Sequence, residues 1–97
     1  MTYHAQVERV DRISACLATL GMNEFILEVK RGRTIERLTD TGILFVFGRD
    51  DDKLITGYIA NPMRVAAMYK SCGYKEAPRK VWLLAARNSQ RYKYLTE

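Results

Sequence analysis

The run Ile43-Leu44-Phe45-Val46-Phe47 constrains this chain more than any other feature. It is apolar at every position, and turn-forming clusters bound it on both sides: Asp40-Thr41-Gly42 before, Arg49-Asp50-Asp51-Asp52 after. A strand with no polar side has to be covered on both faces, so the chain must supply a sheet and the helices that sandwich it. Thr34–Thr39 and Lys53–Ala60 flank the run and share its β-branched and aromatic character. The three segments read as an antiparallel meander with Ile43–Gly48 in the middle.

The covering helices are sought at either end. From His4 to Leu20, Val7, Val10, Ile13, Leu17 and Leu20 recur at three- and four-residue steps, with Glu8, Arg9, Asp11 and Arg12 mostly off the stripe. Gly21 is placed to end that helix in a left-handed conformation. Met22 to Gly32 reads as a second helix: Asn23 caps it, Glu24 sits at its positive end, Lys30 and Arg31 at its negative end, and Gly32 stops it. A strand through Phe25–Val29 competes with that reading. Asn61-Pro62 opens a further helix, with Asn61 as cap and Pro62 in the first turn. Val65, Ala66, Tyr69 and Cys72 form its inner side, and Gly73 ends it. After Pro78, Val81-Trp82-Leu83-Leu84-Ala85 reads as a fourth strand, with Trp82 in the core. The expected class is α+β: two N-terminal helices, an antiparallel sheet of about four strands, and one further helix before the last strand.

Length bounds the rest. A chain of 97 residues is one domain, 1–97, and can bury about two thirds of its unfolded surface without disulfides or a structural metal. At 47% hydrophobic and 28% charged it has the composition of a folded protein rather than a disordered tail. Cys16 and Cys72 stand far apart, in no metal-ligand spacing, and read as small buried thiols on helices. With a single histidine, His4, the usual four-ligand zinc site cannot be assembled in one chain. No cofactor is expected. The opening residues lack the layout of a signal peptide and no apolar run approaches the ~20 residues that span a bilayer, so a cytoplasmic protein without membrane contact is expected.

Charge supplies the functional signal. Residues 1–60 carry 8 Lys/Arg against 9 Asp/Glu, a net −1, whereas residues 61–97 carry 8 against 2, a net +6; together these make the +5 of the chain. Such asymmetry points to a polyanion-facing surface, although any surface needs charge for solubility. Lys75, Arg79, Lys80, Arg87, Arg91 and Lys93 are interleaved with Tyr74, Trp82, Tyr92 and Tyr94. Cations attract phosphate and aromatic faces stack on unpaired bases, which is the equipment of RNA or single-strand binding. An extended 91–95 segment would place Tyr92 and Tyr94 on one side and Arg91 and Lys93 on the other.

Other motifs exclude more than they suggest. There is no phosphate-binding glycine loop, dinucleotide fingerprint, His-Glu-x-x-His or calcium loop. Asp50-Asp51-Asp52 reads as a solvated hairpin tip before it reads as a magnesium site. Asp40-Thr41-Gly42 matches the active-site triplet of the retroviral-type aspartic proteases, but Ile43 follows where that family has a small residue, and the same triplet makes an ordinary turn.

Two expected helices before a compact sheet, the His4-Ala5 start with Arg9 and Arg12 behind it, and Leu54-Ile55-Thr56-Gly57-Tyr58 as a strand ending in Thr-x-Tyr together resemble a known group. It is the RelE and barnase/colicin-type group of small ribonuclease toxins, including the BrnT-like proteins. Val81–Ala85 followed by Arg87, Arg91 and Tyr92 is similar to the closing strand of the RelE-like members. The resemblance implies metal-independent cleavage, in which the RNA's own 2′-hydroxyl attacks the neighbouring phosphate. His4 would then act as acid or base, Arg9, Arg12, Arg87 and Arg91 would hold phosphate, and Thr56 and Tyr58 would orient the substrate. His4 lies close to the terminus, where a frayed, exposed side chain is the plain alternative.

The expectations are therefore a catalytic set of His4, Thr56, Tyr58 and Arg91. A nucleic-acid-binding set comprises Arg9, Arg12, Lys75, Arg79, Lys80, Arg87, Tyr92, Lys93 and Tyr94. Three classes stay open: a toxin-type endoribonuclease of a phage or plasmid, a non-catalytic RNA or DNA binder, and a protein-binding module or inhibitor whose basic surface meets an acidic partner.

Overall fold

The computed structural model describes the backbone of residues 3–96 and the side chains of residues 12–96. A long helix α1 (Tyr3–Leu20) precedes four strands, β1 (Phe25–Arg31), β2 (Thr34–Thr39), β3 (Ile43–Gly48) and β4 (Leu54–Ile59). Helices α2 (Pro62–Ser71) and α3 (Arg79–Arg91) follow, and a 3-10 turn (Lys93–Leu95) closes the chain. The strands form one antiparallel meander in the order β1-β2-β3-β4.

β3 is covered on both faces. Ile43 and Phe45 point toward α1, where they pack with Cys16, Ile59 and Leu95 and with the partly buried Ile13 and Leu20. Leu44 points the other way, into a cluster with Val29, Leu38, Tyr58, Val65, Met68 and Ala85, beneath α2 and α3. The alternation follows from the two-residue period of a strand, and the absence of polar residues in 43–47 is what two apolar layers require. α1 comes close to β4 because Gly57 has no side chain. A Cβ there would lie 3.0 Å from the Phe45 ring and 3.1 Å from Ile13 Cγ1. Gly57→Val is therefore expected to destabilise the protein by about 1–3 kcal/mol through overpacking, seen as a lower urea midpoint at unchanged slope.

The class is α+β, but the order of elements differs from the one expected. There is one N-terminal helix, not two: Phe25–Arg31 is a strand, and the competing reading of that segment holds. Leu27 and Val29 face the core while Glu28 pairs across with Arg37, a period of two that a helix would scramble. Gly32, taken as a helix stop, is instead the first central residue of a two-residue turn joining Arg31 to Thr34, at φ +57°. A tight hairpin of this kind needs a glycine there, because its first central residue carries positive φ.

Val81–Ala85 is not a fourth strand but the interior of α3, so two helices follow the sheet and, among the described residues, no strand comes after them. Val81 and Ala85 face the core at helical spacing, and Asn88, one turn further on, is buried beside them. Beside β4, among the described residues, lies Thr96, which makes a single bridge to Ile59. Residues 91–95 are likewise not extended but turn tightly through the end of α3 and the 3-10 turn. Cys16 is buried as expected, and burial pushes its thiol pKa up, against a smaller opposite effect of Arg12. Cys72 is exposed, since it caps the end of α2 rather than facing inward. Neither cysteine is in a disulfide.

The expected start of α2 is present: Asn61 Oδ1 accepts the Arg64 N–H at 2.8 Å, with Pro62 at the first helical position. A buried carboxylate ties this helix to the sheet. Glu36 on β2 receives Arg31 Nε from β1, and its other oxygen lies 3.9 Å from Arg64 Nη1 on α2.

Candidate nucleic-acid interface

α3 presents two different surfaces. Its inner side carries Val81, Ala85 and Asn88, and the Asn88 amide donates to the Thr41 carbonyl at 3.3 Å, which sets the rotation of the helix on the sheet. Its outer side is then dictated by the 3.6-residue period: Arg79, Lys80, Trp82, Leu83, Arg87 and Arg91 all face solvent. No acidic residue occurs from Ala77 to Thr96. Arg79 and Lys80 occupy the first turn, where the helix dipole disfavours cations, and Pro78 offers no side-chain cap to the free N–H groups. A bound anion would relieve both conditions. Arg91 closes the helix at the end the dipole favours, with its guanidinium carbon 5.6 Å from the centre of the Tyr92 ring.

The 3-10 turn follows α3 directly and adds two exposed side chains. Leu95 is buried against the α1 layer and Tyr92 is half-buried there, which fixes the turn and leaves Lys93 exposed and Tyr94 74% exposed. The Thr96 hydroxyl donates to the Tyr92 carbonyl at 2.9 Å and holds this closure. Lys75 is exposed in the loop before α3, beside Tyr74, whose ring meets Tyr69 edge-on at 5.4 Å.

Lys75, Arg79, Lys80, Arg87, Lys93 and Tyr94 thus fall on α3 or the segments on either side of it, with Tyr92 partly inside. Arg12 lies elsewhere: on α1, half-buried, it donates from Nη2 to the Thr56 hydroxyl on β4 at 2.8 Å. Of the expected catalytic set, Tyr58 is in the core at 6% exposure, Thr56 accepts that bond from Arg12, and Arg91 is at the far end of α3. The side chains of His4 and Arg9 lie outside the described residues.

Trp82, expected in the core, is 43% exposed, and Leu83 beside it is also exposed. Reading 79–91 with a helical period would have exposed both, since Arg79 and Trp82 align at i and i+3, and Lys80, Leu83 and Arg87 at i, i+3 and i+7. A pocket of about 430 Å³ opens between α2 and the start of α3, lined by Ala66, Glu76, Ala77, Arg79 and Trp82. A smaller one, about 290 Å³, lies among Lys80, Leu83, Leu84 and Arg87.

The acidic motifs are structural. Asp40 Oδ1 accepts the Asn23 N–H at 3.1 Å, the Thr41 hydroxyl donates to the Gly21 carbonyl at 2.6 Å, and the Ile43 N–H donates to Thr39 Oγ1 at 2.9 Å. The triplet therefore clasps the end of α1, and through Asn88 it holds α3. The Asn23 N–H is the main reason the Asp40 carboxyl sits below its ordinary value of 3.8. A depressed folded pKa gives stability that is complete above 3.8 and is lost as pH falls through the folded value. Asp40→Asn is expected to lower the unfolding midpoint in the neutral region toward its acid value, so that the acid limb flattens, while the most acidic end of the profile stays nearly unchanged. In the β3–β4 turn Asp51 accepts the Lys53 N–H and Asp52 pairs with Arg37. Among the described residues no group of three or more His, Cys, Asp or Glu is placed to hold a metal, and no helix is long and apolar enough to cross a membrane.

Comparison of the chain with protein-family models, with curated proteins and with solved structures found no match.

Proposed function

We propose that this protein binds RNA through the outer side of α3 and the 3-10 turn that follows it, without catalysing a reaction on it. One observation carries the reading. Arg79, Lys80, Arg87, Arg91 and Lys93 are exposed in a stretch with no acidic residue from Ala77 to Thr96, and the same stretch exposes Trp82, which shares a pocket with Arg79, and Tyr94. A face that merely keeps a protein dissolved mixes both signs and keeps large rings out of water. Cations with accessible aromatic faces match a flexible strand, whose phosphates and unstacked bases can both be met.

Tyr58 and Thr56 argue for binding over cleavage. The first is in the core, and the second, half-buried, already accepts a bond from Arg12, so the two do not stand free together as a substrate-orienting pair.

The test is a salt titration with labelled single-stranded RNA in EDTA, with the RNA run on a gel afterwards. If all five cations meet phosphates, log affinity should fall with log salt at a slope of about −3 to −3.5, with the RNA intact. Metal-independent cleavage lost in Arg91→Ala would replace this reading with the ribonuclease. No binding at low salt would leave an acidic protein as the partner of the basic surface.

A further inference from the structure

The pocket between α2 and α3 has a chemistry of its own. From Lys53 to Thr96 the chain holds one acidic residue, Glu76, and it lines this pocket together with the exposed Trp82 and Arg79. Glu76 makes no hydrogen bond or ion pair among the described residues, and it does not pair with Arg79. On a surface otherwise built to attract phosphate, an unpaired carboxylate weakens binding unless it has a ligand of its own. Ala66 and Ala77, which complete the lining, are small and fill little of the pocket.

We infer that this pocket receives one unpaired guanine base of the bound RNA; the inference rests on the RNA-binding reading above. The indole of Trp82 supplies a flat stacking surface for the base. The Glu76 carboxylate offers two oxygens that accept hydrogen bonds. Guanine is the base whose Watson–Crick edge offers two adjacent donors, N1–H and the exocyclic N2 amino group, so it alone engages both oxygens at once. Adenine and cytosine offer one amino group beside an acceptor, which would face the carboxylate and be repelled. Uracil offers one N–H between two acceptors. Arg79 is placed for the nucleotide's phosphate at the uncapped start of α3. The volume of about 430 Å³ lies within the range of small-ligand pockets.

Trp82 is the only tryptophan in the chain, so its fluorescence reports on this pocket alone. The experiment titrates the protein with oligouridine carrying one central guanosine, adenosine, cytidine or uridine, following both Trp82 fluorescence and anisotropy of the labelled RNA. The guanosine oligomer should bind about tenfold tighter than the others and quench Trp82 most strongly. Glu76→Gln replaces one acceptor with a donor. It should bring the four oligomers to within about twofold of one another, with all-uridine RNA binding somewhat tighter than before because a carboxylate that repels phosphate is gone. Equal affinity of all four for the unaltered protein overturns the guanine pocket and leaves RNA binding standing. A guanosine preference that survives Glu76→Gln, or that leaves Trp82 fluorescence unmoved, places the preference elsewhere and overturns it too. Failure of every oligomer to bind at low salt overturns both readings together. Glu76 is exposed, so the melting temperature of the variant should match that of the unaltered protein.

Discussion

Replacing Arg79, Lys80, Arg87 and Arg91 together with glutamine should weaken single-stranded RNA binding by two to three orders of magnitude near 0.1 M salt. Each phosphate neutralised on a single strand contributes about 0.7 to the slope of log affinity against log salt, so four lost contacts flatten the slope by about 2.8. At about 0.1 M salt the same counterion release is worth about 0.7 of a decade per contact, which sets the size of the loss. The fold should survive, because all four side chains are exposed and Val81, Ala85 and Asn88 still dock the helix. The one structural cost falls at Arg91, which complements the carboxyl end of α3 and lies near the Tyr92 ring. Removing it costs about 0.3–1 kcal/mol. Circular dichroism with anisotropy on the same samples separates lost binding from lost folding. A loss of less than about threefold, with the slope unchanged, would mean that the basic helix does not touch the RNA.

Leu44→Ala is the substitution expected to cost the most stability for its size. Leu44 is fully buried at the centre of the sheet, in the layer that α2 and α3 cover, and its neighbours there are held by their own packing. Truncation should cost about 2–5 kcal/mol, combining lost transfer energy with the cavity left behind. Domains of this kind have about 5–15 kcal/mol in all, so the melting temperature should drop by more than about 10 °C. The same change at Leu54, which is 43% exposed on the edge strand β4, should cost less than about 1 kcal/mol. The pair holds residue chemistry constant and varies burial alone. Equal losses at the two positions would contradict the layered core.

What was legible in the chain, and what was not, follows from how many constraints each segment carries. Ile43–Gly48 is apolar throughout and bounded by turn residues, so it can only be an interior strand. Asn61-Pro62 can only begin a helix, because the side chain of one and the ring of the other suit no other position so well. Phe25–Arg31 and Val81–Ala85 are different. Each is a short segment whose apolar residues satisfy a period of two and a period of 3.6 almost equally, and local propensity cannot choose between them. For Phe25–Arg31 the choice was made by β2, an open strand edge within reach of a two-residue turn at Gly32. For Val81–Ala85 it was made by α2 and by Asn88, which fit a helix laid over the Leu44 layer, while the edge of β4 was left to Thr96.

The candidate interface divides in the same way. Its charge was visible in the chain, since the imbalance of residues 61–97 does not depend on how they fold. Which of those residues share a surface was not, because read as a strand Trp82 belonged inside, and read as a helix it faces solvent beside Arg79. By itself the sequence determined the class of the fold, the interior strand and its turns, the start of α2 and the sign of the C-terminal surface, because each rests on composition or on a single stereochemical requirement. Only the tertiary structure decided the identity of two ambiguous segments, the burial of Tyr58, the exposure of Trp82 and the placing of Glu76 and Trp82 on one pocket. Those depend on which neighbour each segment finds, and that free energy is absent from any segment taken alone.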